Sequence, residues 1–320
     1  MISARPITTT ETTRTVPPWP TLLTAARLWT RYGPGTRIAT TLLPWLDAGL
    51  RQRPRTGVTR TRFGARMHYD TSDFVPRMLY MTGAWEPAIT AYLTTTLRPG
   101  DTVIDLGAHH GYHTLLAATL VGPTGCVVAV EPAPATHHQL LANLARNHCR
   151  HVHTVRAAIT ENPCTVTLYT PDTSNTGNTT VLEPNPHTPA VTTTAPGRPL
   201  IDLLPAGTLE HARILKIDIE GAEATALTDL TGHLHRLAPD CELIVEISPD
   251  RLTGTGTTAD EILQPFRNTG FHIYRLANSY RPHTYPTEIR SPTTPSPLTT
   301  PITGMTDLLL SRCPPNTDPA

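Results

Sequence analysis

The run Leu215–Glu223, LKIDIEGAE, holds the only lysine of the chain, Lys216, beside three carboxylates, Asp218, Glu220 and Glu223. Lys216, Asp218 and Glu220 share one parity of an extended chain, so they share a face for as long as a strand continues. Charges beside a packed apolar sheet must be paired or must face a cleft. One reading is structural, with Lys216 neutralising a carboxylate. The other is a polar cluster at a cleft mouth that binds a substrate or takes its proton, with Glu246 of LIVEI next to it.

A second group lies in VIDLGAHHGYHT. Gly107 and Gly111 flank a turn between strand and helix, where backbone N–H groups can approach a ligand. A dinucleotide turn would read GxGxxG, and here His109 takes the place of the second glycine. Asp105 before the turn would repel a pyrophosphate but suits a ligand with an ammonium group and no phosphate, as in S-adenosylmethionine. Glu131 ends the following strand in VVAVEP, where a carboxylate can accept both hydroxyls of an adenosine ribose. NAD would use that carboxylate equally. The plain alternatives are a tight turn and a solvated strand-end glutamate.

The elements that hold these groups alternate. DTVIDLG reads as a buried strand and GCVVAVEP, VHTVRAAIT, RILKIDIEG and CELIVEI as further strands, with YHTLLAATLVG, ATHHQLLANLARNH and AEATALTDLTGHLHRLA as the helices between them. TADEILQPFRNTG is a further helix, FHIYRLA and MTDLLLSR are later strands, and CTVTLYT is an extra one. This rhythm predicts a parallel sheet wrapped by helices on both faces, with ligands outside the carboxyl ends of the strands. Upstream, TLLTAARLWTRYG and TRIATTLLPWLDAGLRQR read as helices, the second interrupted by Pro44, with Trp29 and Trp45 in a core. TGVTRTRFGARMHYD reads as a hairpin turning at Gly64, and PAITAYLTTTLRPGD as a helix. Residues 1–20 are expected to be disordered, and 170–199 and 278–304 to be Pro- and Thr-rich loops.

Bulk composition narrows the classes. The 320 residues allow one large domain with an appendage, or two modest ones. Acidic and basic residues balance at 26 each, so no global field draws nucleic acid or an anionic membrane. No apolar run approaches the roughly 18 residues of a spanning helix, and the N-terminus lacks a secretory segment, so the chain reads as cytoplasmic. Five cysteines without a CxxC read as reduced thiols, and HCRHVH alternates like a solvated strand face rather than a metal site. No dedicated metal-ligand motif is read.

GDTVIDLGAHHGYHTLLAATLVGPTGCVVAVEPAP with LLANLARN, then LIDLL, ILKIDIEGAEATALTDL and LIVEI, resembles the FkbM family of S-adenosylmethionine-dependent methyltransferases over residues 57–312. YMTGAWEP upstream and TDLLLSR at the end belong to the likeness, and K-I-D-I-E-G-A-E is its most specific block. The family's turn usually reads D-x-G-A-N-x-G, so His109 stands in the Asn place. The resemblance implies an α/β class I methyltransferase fold with a seven-stranded, mostly parallel sheet over 57–313. Residues 1–56 become a disordered start with a helical extension, and 314–320 a tail. It implies S-adenosylmethionine as cofactor and methylation of a hydroxyl on a sugar or other secondary metabolite, such as a polyketide or peptide. It places Asp105, Gly107, Ala108, His109 and Gly111 against the methionine half and Glu131 on the ribose. Glu86, Tyr112 and Thr114 become neighbours of the cofactor, and Ser174, Asn175 and Asn178 close over cofactor or substrate.

Methyl transfer is an in-line displacement that needs an aligned, deprotonating hydroxyl. Asp218 is then the first base or orienting group, also beside the cofactor, with Glu220 and Glu246 behind it and Lys216 as electrostatic partner. His110 and His113 are outside candidates. The competing readings are an NAD-dependent oxidoreductase and a non-catalytic cofactor-binding scaffold, which titration with S-adenosylhomocysteine and with NAD separates.

Overall fold

Short runs of aliphatic and β-branched residues, apolar on both parities, build the centre of the molecule, because such runs suit strands covered on two faces. The computed structural model describes residues 19–33, 35–170, 174–184, 189–252 and 256–315. Two helices lead, α1 (Trp19–Tyr32) and α2 (Thr36–Gln52), then a hairpin of β1 (Thr56–Arg60) and β2 (Arg66–Asp70). Helices α3 (Phe74–Thr82) and α4 (Pro87–Thr96) bring the chain to the alternating part. There β3 (Thr102–Leu106), α5 (Tyr112–Val121), β4 (Cys126–Val130), α6 (Pro134–Arg146) and β5 (Val152–Val155) succeed one another. Strands β6 (Ala158–Ile159), β7 (Cys164–Thr170) and β8 (Val191–Arg198) form a separate small sheet. Next come α7 (Leu200–Leu203), β9 (Ala212–Ile217), α8 (Glu223–Thr231), β10 (Glu242–Ile247), α9 (Pro249–Leu252) and α10 (Ala259–Asn268). The last elements are β11 (His272–Leu276), α11 (Tyr285–Arg290), β12 (Ser296–Pro297) and β13 (Thr306–Ser311).

The main sheet runs β12-β11-β13-β10-β9-β3-β4-β5. Strands β5, β4, β3, β9 and β10 are parallel, and β13 inserts antiparallel between β10 and β11. This is the class I methyltransferase arrangement with eight strands instead of the seven expected. The eighth is β12, two residues that pair with β11 at the edge. Chain direction across the sheet reverses beside β3: β4 and β5 are laid on one side, and β9 returns on the other. The carboxyl ends of β3 and β9 therefore border the crevice where such sheets bind ligands.

One sheet face carries Ile104, Leu106, Leu215, Ile217, Leu243 and Val245 against Leu227, Leu230 and Phe266 of α8 and α10. The other carries Val103, Val127, Ile214, Ile244 and Leu309 against Ile89, Leu93, Leu116 and Val121 of α4 and α5. Each fully buried aliphatic side chain stabilises by ~1.5–3 kcal/mol. Asp105, Lys216, Glu246 and Asp307 have the parity of this second face, and polar side chains replace apolar ones at its carboxyl end.

Five expectations change. VHTVRAAIT splits, β5 joining the main sheet and β6 the small one. The stretch 170–199 is not all loop, since β8 pairs antiparallel with β7; its β-branched Val191, Thr192, Thr193 and Thr194 suit an exposed strand that composition alone does not reveal. Within 278–304 the chain forms α11 and β12. Helix α2 runs through Pro44, because Ala39, Leu43, Leu46 and Leu50 are fully buried and together outweigh the ~3 kcal/mol cost of an internal proline. Trp29 and Trp45, expected in a core, are 38% and 41% exposed; α1 and α2 pack on α3 and α11 through Leu23, Leu43, Leu46 and Leu50 instead. Among the described residues no helix is long and apolar enough to cross a membrane. Of residues 1–20, expected to be disordered, 19 and 20 open α1, and 1–18 lie outside the described residues.

Candidate active site

Strand β3 ends where β9 ends, and Asp105 is the register partner of Lys216. Just beyond, the Asp218 N–H donates to the Leu106 carbonyl at 3.0 Å. Gly107, at φ 84°, faces that crossing so closely that a Cβ would lie 1.7 Å from the Asp218 carbonyl oxygen. Glycine is required there by sterics. The N–H groups of Gly107 and Ala108 both donate to Val130 O at 2.9 Å, and the His109 N–H donates to Glu131 Oε2 at 2.9 Å. The expected backbone cradle is thus already tied to β4, and the turn offers close approach more than free donors. Glu131 also accepts the Ala133 N–H at 2.9 Å, and burial pushes its carboxyl up to about 7.

Strand β9 stops at Ile217, so the shared face predicted for Lys216, Asp218 and Glu220 is broken after Lys216. Glu220 turns at φ 52° and Gly221 at φ 106°. Lys216 still reaches Asp218, Nζ to Oδ2 at 2.7 Å. Burial opposes its charge, but Asp218, Asp105 and Glu86 outweigh burial and raise its pKa. Glu223 is structural: its carboxylate accepts the N–H groups of Ile219 at 3.1 Å and Gly221 at 2.8 Å.

A second layer closes the acidic end. Arg251 of α9 donates to Glu246 at 2.8 Å and pairs with Glu220. Burial, reinforced by Asp218, pushes Glu220 up to about 8 and Glu246 up to about 10. Glu246 is the register partner of Asp307, whose carboxyl burial raises to about 6. The Tyr280 hydroxyl lies 3.0 Å from both Glu86 Oε1 and Asp307 Oδ2, and Asn278 donates to Asp307 at 2.8 Å. Glu86, 2% exposed, is held well above the usual carboxylate range by burial.

These groups enclose a cavity of about 400 Å³, within the ~300–1,000 Å³ of small-molecule sites. Its lining also includes aromatic side chains, Phe74 edge-on to Trp85 at 5.6 Å and Trp85 next to Tyr280 at 5.8 Å. Five non-glycine residues among those described have positive φ, and four of them, Glu86, His109, Glu220 and Tyr280, line this cavity. Left-handed backbone costs ~1–3 kcal/mol per residue and concentrates where function demands a fixed geometry.

Of the residues expected at the site, Glu86, Asp105, Gly107, Ala108, His109, Tyr112, Glu131, Asn175, Asn178, Lys216, Asp218, Glu220 and Glu246 line the cavity, as do His110 and His113. Three do not. Thr114 lies behind the wall and donates to Asp105 Oδ2 at 2.6 Å; Gly111 starts α5, where a Cβ would meet Leu140; Ser174 accepts the Phe74 N–H through its carbonyl. Sequence reasoning passed over Arg251, Tyr280 and Asp307. Arg251 follows a strand-end acid by one turn, a signal available in EISPDR; Tyr280 and Asp307 converge only through the sheet order.

Residues 105–273 match the methyltransferase FkbM domain. The chain belongs to this family. Curated relatives share shorter stretches with it. The protein-L-isoaspartate O-methyltransferase of Methanopyrus kandleri is 41% identical over 66 residues, 20% of this chain and 27% of that one. The arsenite methyltransferase of Halobacterium salinarum is 39% identical over 56 residues, 18% of this chain and 14% of that one. The chain thus spans well under a third of the length of either. Among solved structures, the methyltransferase FkbM from Methylobacillus flagellatus aligns at 17% identity and a TM-score of 0.40, covering 93% of this chain and 59% of that one. Fibrillarin from Aeropyrum pernix with natively bound S-adenosyl-L-methionine aligns at 11% and 0.39, covering 80% and 82%.

Membership in the FkbM family makes S-adenosylmethionine the cofactor. The cavity fits it on two counts. Asp105 Oδ1 and Glu86 Oε2 are buried with no hydrogen-bond partner among the described residues, Glu86 Oε2 having His113 Nε2 at 3.6 Å, as suits carboxyl groups that can receive an ammonium. Glu131 lines the same cavity as these two carboxylates, with the turn residues Gly107 and Ala108.

Proposed function

We propose that this FkbM-family protein transfers the methyl group of S-adenosylmethionine to a hydroxyl oxygen of a small metabolite, with a sugar or other secondary metabolite as the acceptor class. The observation that carries this reading is the convergence of the Gly107 turn, Glu131 and the Lys216–Asp218 pair on one cavity. When bound, the cofactor supplies an electrophilic methyl group on a sulfonium centre. Asp105 and Glu86 would hold its ammonium, the bare turn at Gly107 and Ala108 its methionine half, and Glu131 its ribose hydroxyls. His109 and Asn175 border the same wall, with Tyr112 behind the methionine end.

Asp218 is the group assigned to orient the acceptor hydroxyl or take its proton. It belongs to both halves of the cavity, fixed through its backbone to β3 and through its carboxylate to Lys216. Glu220 and Glu246 carry raised pKa values, so at neutral pH they are suited to donate hydrogen bonds to acceptor oxygens. Arg251 holds both in place. The aromatic side chains of Phe74, Trp85 and Tyr280 provide apolar faces for the carbon skeleton of an acceptor.

The test is incubation with labelled S-adenosylmethionine and a metabolite extract of the producing cell, with the labelled product identified by mass spectrometry. Calorimetric titration with S-adenosylhomocysteine and with NAD accompanies it. Binding of the former and an alkali-stable methyl ether in the product support the reading. A product labelled on nitrogen or carbon overturns the oxygen assignment, and NAD binding without methyl transfer overturns the whole.

A further inference from the structure

We propose that Asp73, His109 and His110 form a site for a divalent transition metal, zinc by ligand preference, which clips the glycine turn to the start of α3. One ligand atom from each of the three lies within 4.8 Å of the other two. Zinc bonds to imidazole nitrogen and carboxylate oxygen are ~2.0–2.2 Å long, so donors around one ion sit at most ~4.4 Å apart. Small side-chain rotations close the difference. Two imidazoles and one carboxylate are a donor set that binds zinc while leaving a fourth position open.

Three observations independent of that spacing point to a cation. Asp73 is 5% exposed, yet no ion pair to its carboxylate is found among the described residues; its acceptors are filled by the Thr176 N–H at 3.3 Å and the Thr176 hydroxyl. A buried carboxylate without a counter-charge is costly. His110 Nδ1 is buried with no hydrogen-bond partner among the described residues. His109 Nε2 lies 3.0 Å from the same Thr176 hydroxyl, and the two imidazole rings stack with centroids 4.0 Å apart. The Thr176 hydroxyl therefore bridges Asp73 and His109, where an ion could take it as a further ligand.

The site lies at the end of the cavity where the 174–179 segment crosses the glycine turn, and methyl transfer as proposed above uses neither Asp73 nor the His110 ring. An ion there ties three elements, the turn after β3, the N-terminus of α3 and the segment bearing Thr176, and stiffens that wall.

The test uses the full chain stripped with a chelator, loaded with Zn²⁺ alone, desalted and analysed for bound metal, with Co²⁺ loading followed by visible absorption. One zinc per chain is expected, with cobalt ligand-field bands of a low-coordinate N/O site. Zinc should raise the melting temperature of the wild type. His110→Ala and Asp73→Asn should each lower zinc affinity at least tenfold and remove the cobalt bands. Asp73→Asn retains an acceptor for Thr176, so it carries the test if His110→Ala fails to fold. No zinc retained by the wild type, or equal retention by wild type and the folded variant through surface histidines, overturns the proposal.

Discussion

Replacing Lys216 by methionine is the sharpest test of how the acidic pocket is held. Lys216 is 4% exposed, and its ammonium lies 2.7 Å from Asp218 Oδ2. At an effective dielectric of about 20, opposite charges at that distance attract by ~6 kcal/mol. Part of this offsets the desolvation of the lysine itself, and removal of one partner from a buried pair typically costs ~3–5 kcal/mol net. At ~3 kcal/mol per M of urea for a protein of this size, the unfolding midpoint should fall by about 1–2 M. The loss should depend on pH. Lys216 has its pKa raised, so its contribution is fully present below the ordinary lysine value and is lost only as pH rises through the folded value. Glu86 and Asp105 are raised by burial and restrained by Lys216. Without the lysine they rise further, and a folded state that binds protons more tightly than the unfolded chain gains stability as pH falls. The deficit of Lys216→Met should therefore be largest near about pH 8 and shrink near about pH 5.5. Urea titrations followed by tryptophan fluorescence read both. An unchanged midpoint, or a deficit equal at the two pH values, refutes the argument that Lys216 balances these acids.

Asp218→Asn should lower turnover by ~10²–10⁴-fold, the range of a lost general base, while calorimetry shows S-adenosylhomocysteine affinity within a few-fold; unchanged turnover removes Asp218 from its role. Glu220, with its pKa pushed up to about 8, contributes stability that is present below the ordinary carboxylate value and lost as pH rises through about 8. Glu220→Gln should accordingly flatten the decline in urea midpoint between those limits, and an identical slope in the variant refutes the assignment. Gly107→Ala places a Cβ 1.7 Å from the Asp218 carbonyl oxygen at φ 84°, so a destabilisation of ~3 kcal/mol or more is expected by adding left-handed strain to overpacking. A soluble variant with an unchanged melting temperature would contradict the close crossing of β3 and β9.

Much of the pocket was legible because its parts are local. Asp105 and Gly107 sit at the end of one apolar run, Lys216 and Asp218 at the end of another, and Glu131 and Glu246 at the ends of two more. An apolar run of five or six residues between turn signals forms a strand wherever it is packed, so strand-end residues can be named before the sheet is known. The glycine turn was legible for its position but not its hydrogen bonding, because Val130 and Glu131 take its N–H groups only once β4 lies alongside.

The sequence by itself determined the order of strands and helices, the strand-end acids and the single ammonium among them, since each follows from periodicity and side-chain type within a few residues. Tertiary structure alone decided that β13 slides between β10 and β11, setting Asp307 opposite Glu246 and Tyr280 against Glu86. It alone brought Asp73 to the paired histidines and the Pro- and Thr-rich segments into β8 and α11. The physical reason is that these contacts join residues far apart in the chain, and their partners are chosen by sheet order and packing, which no local pattern encodes.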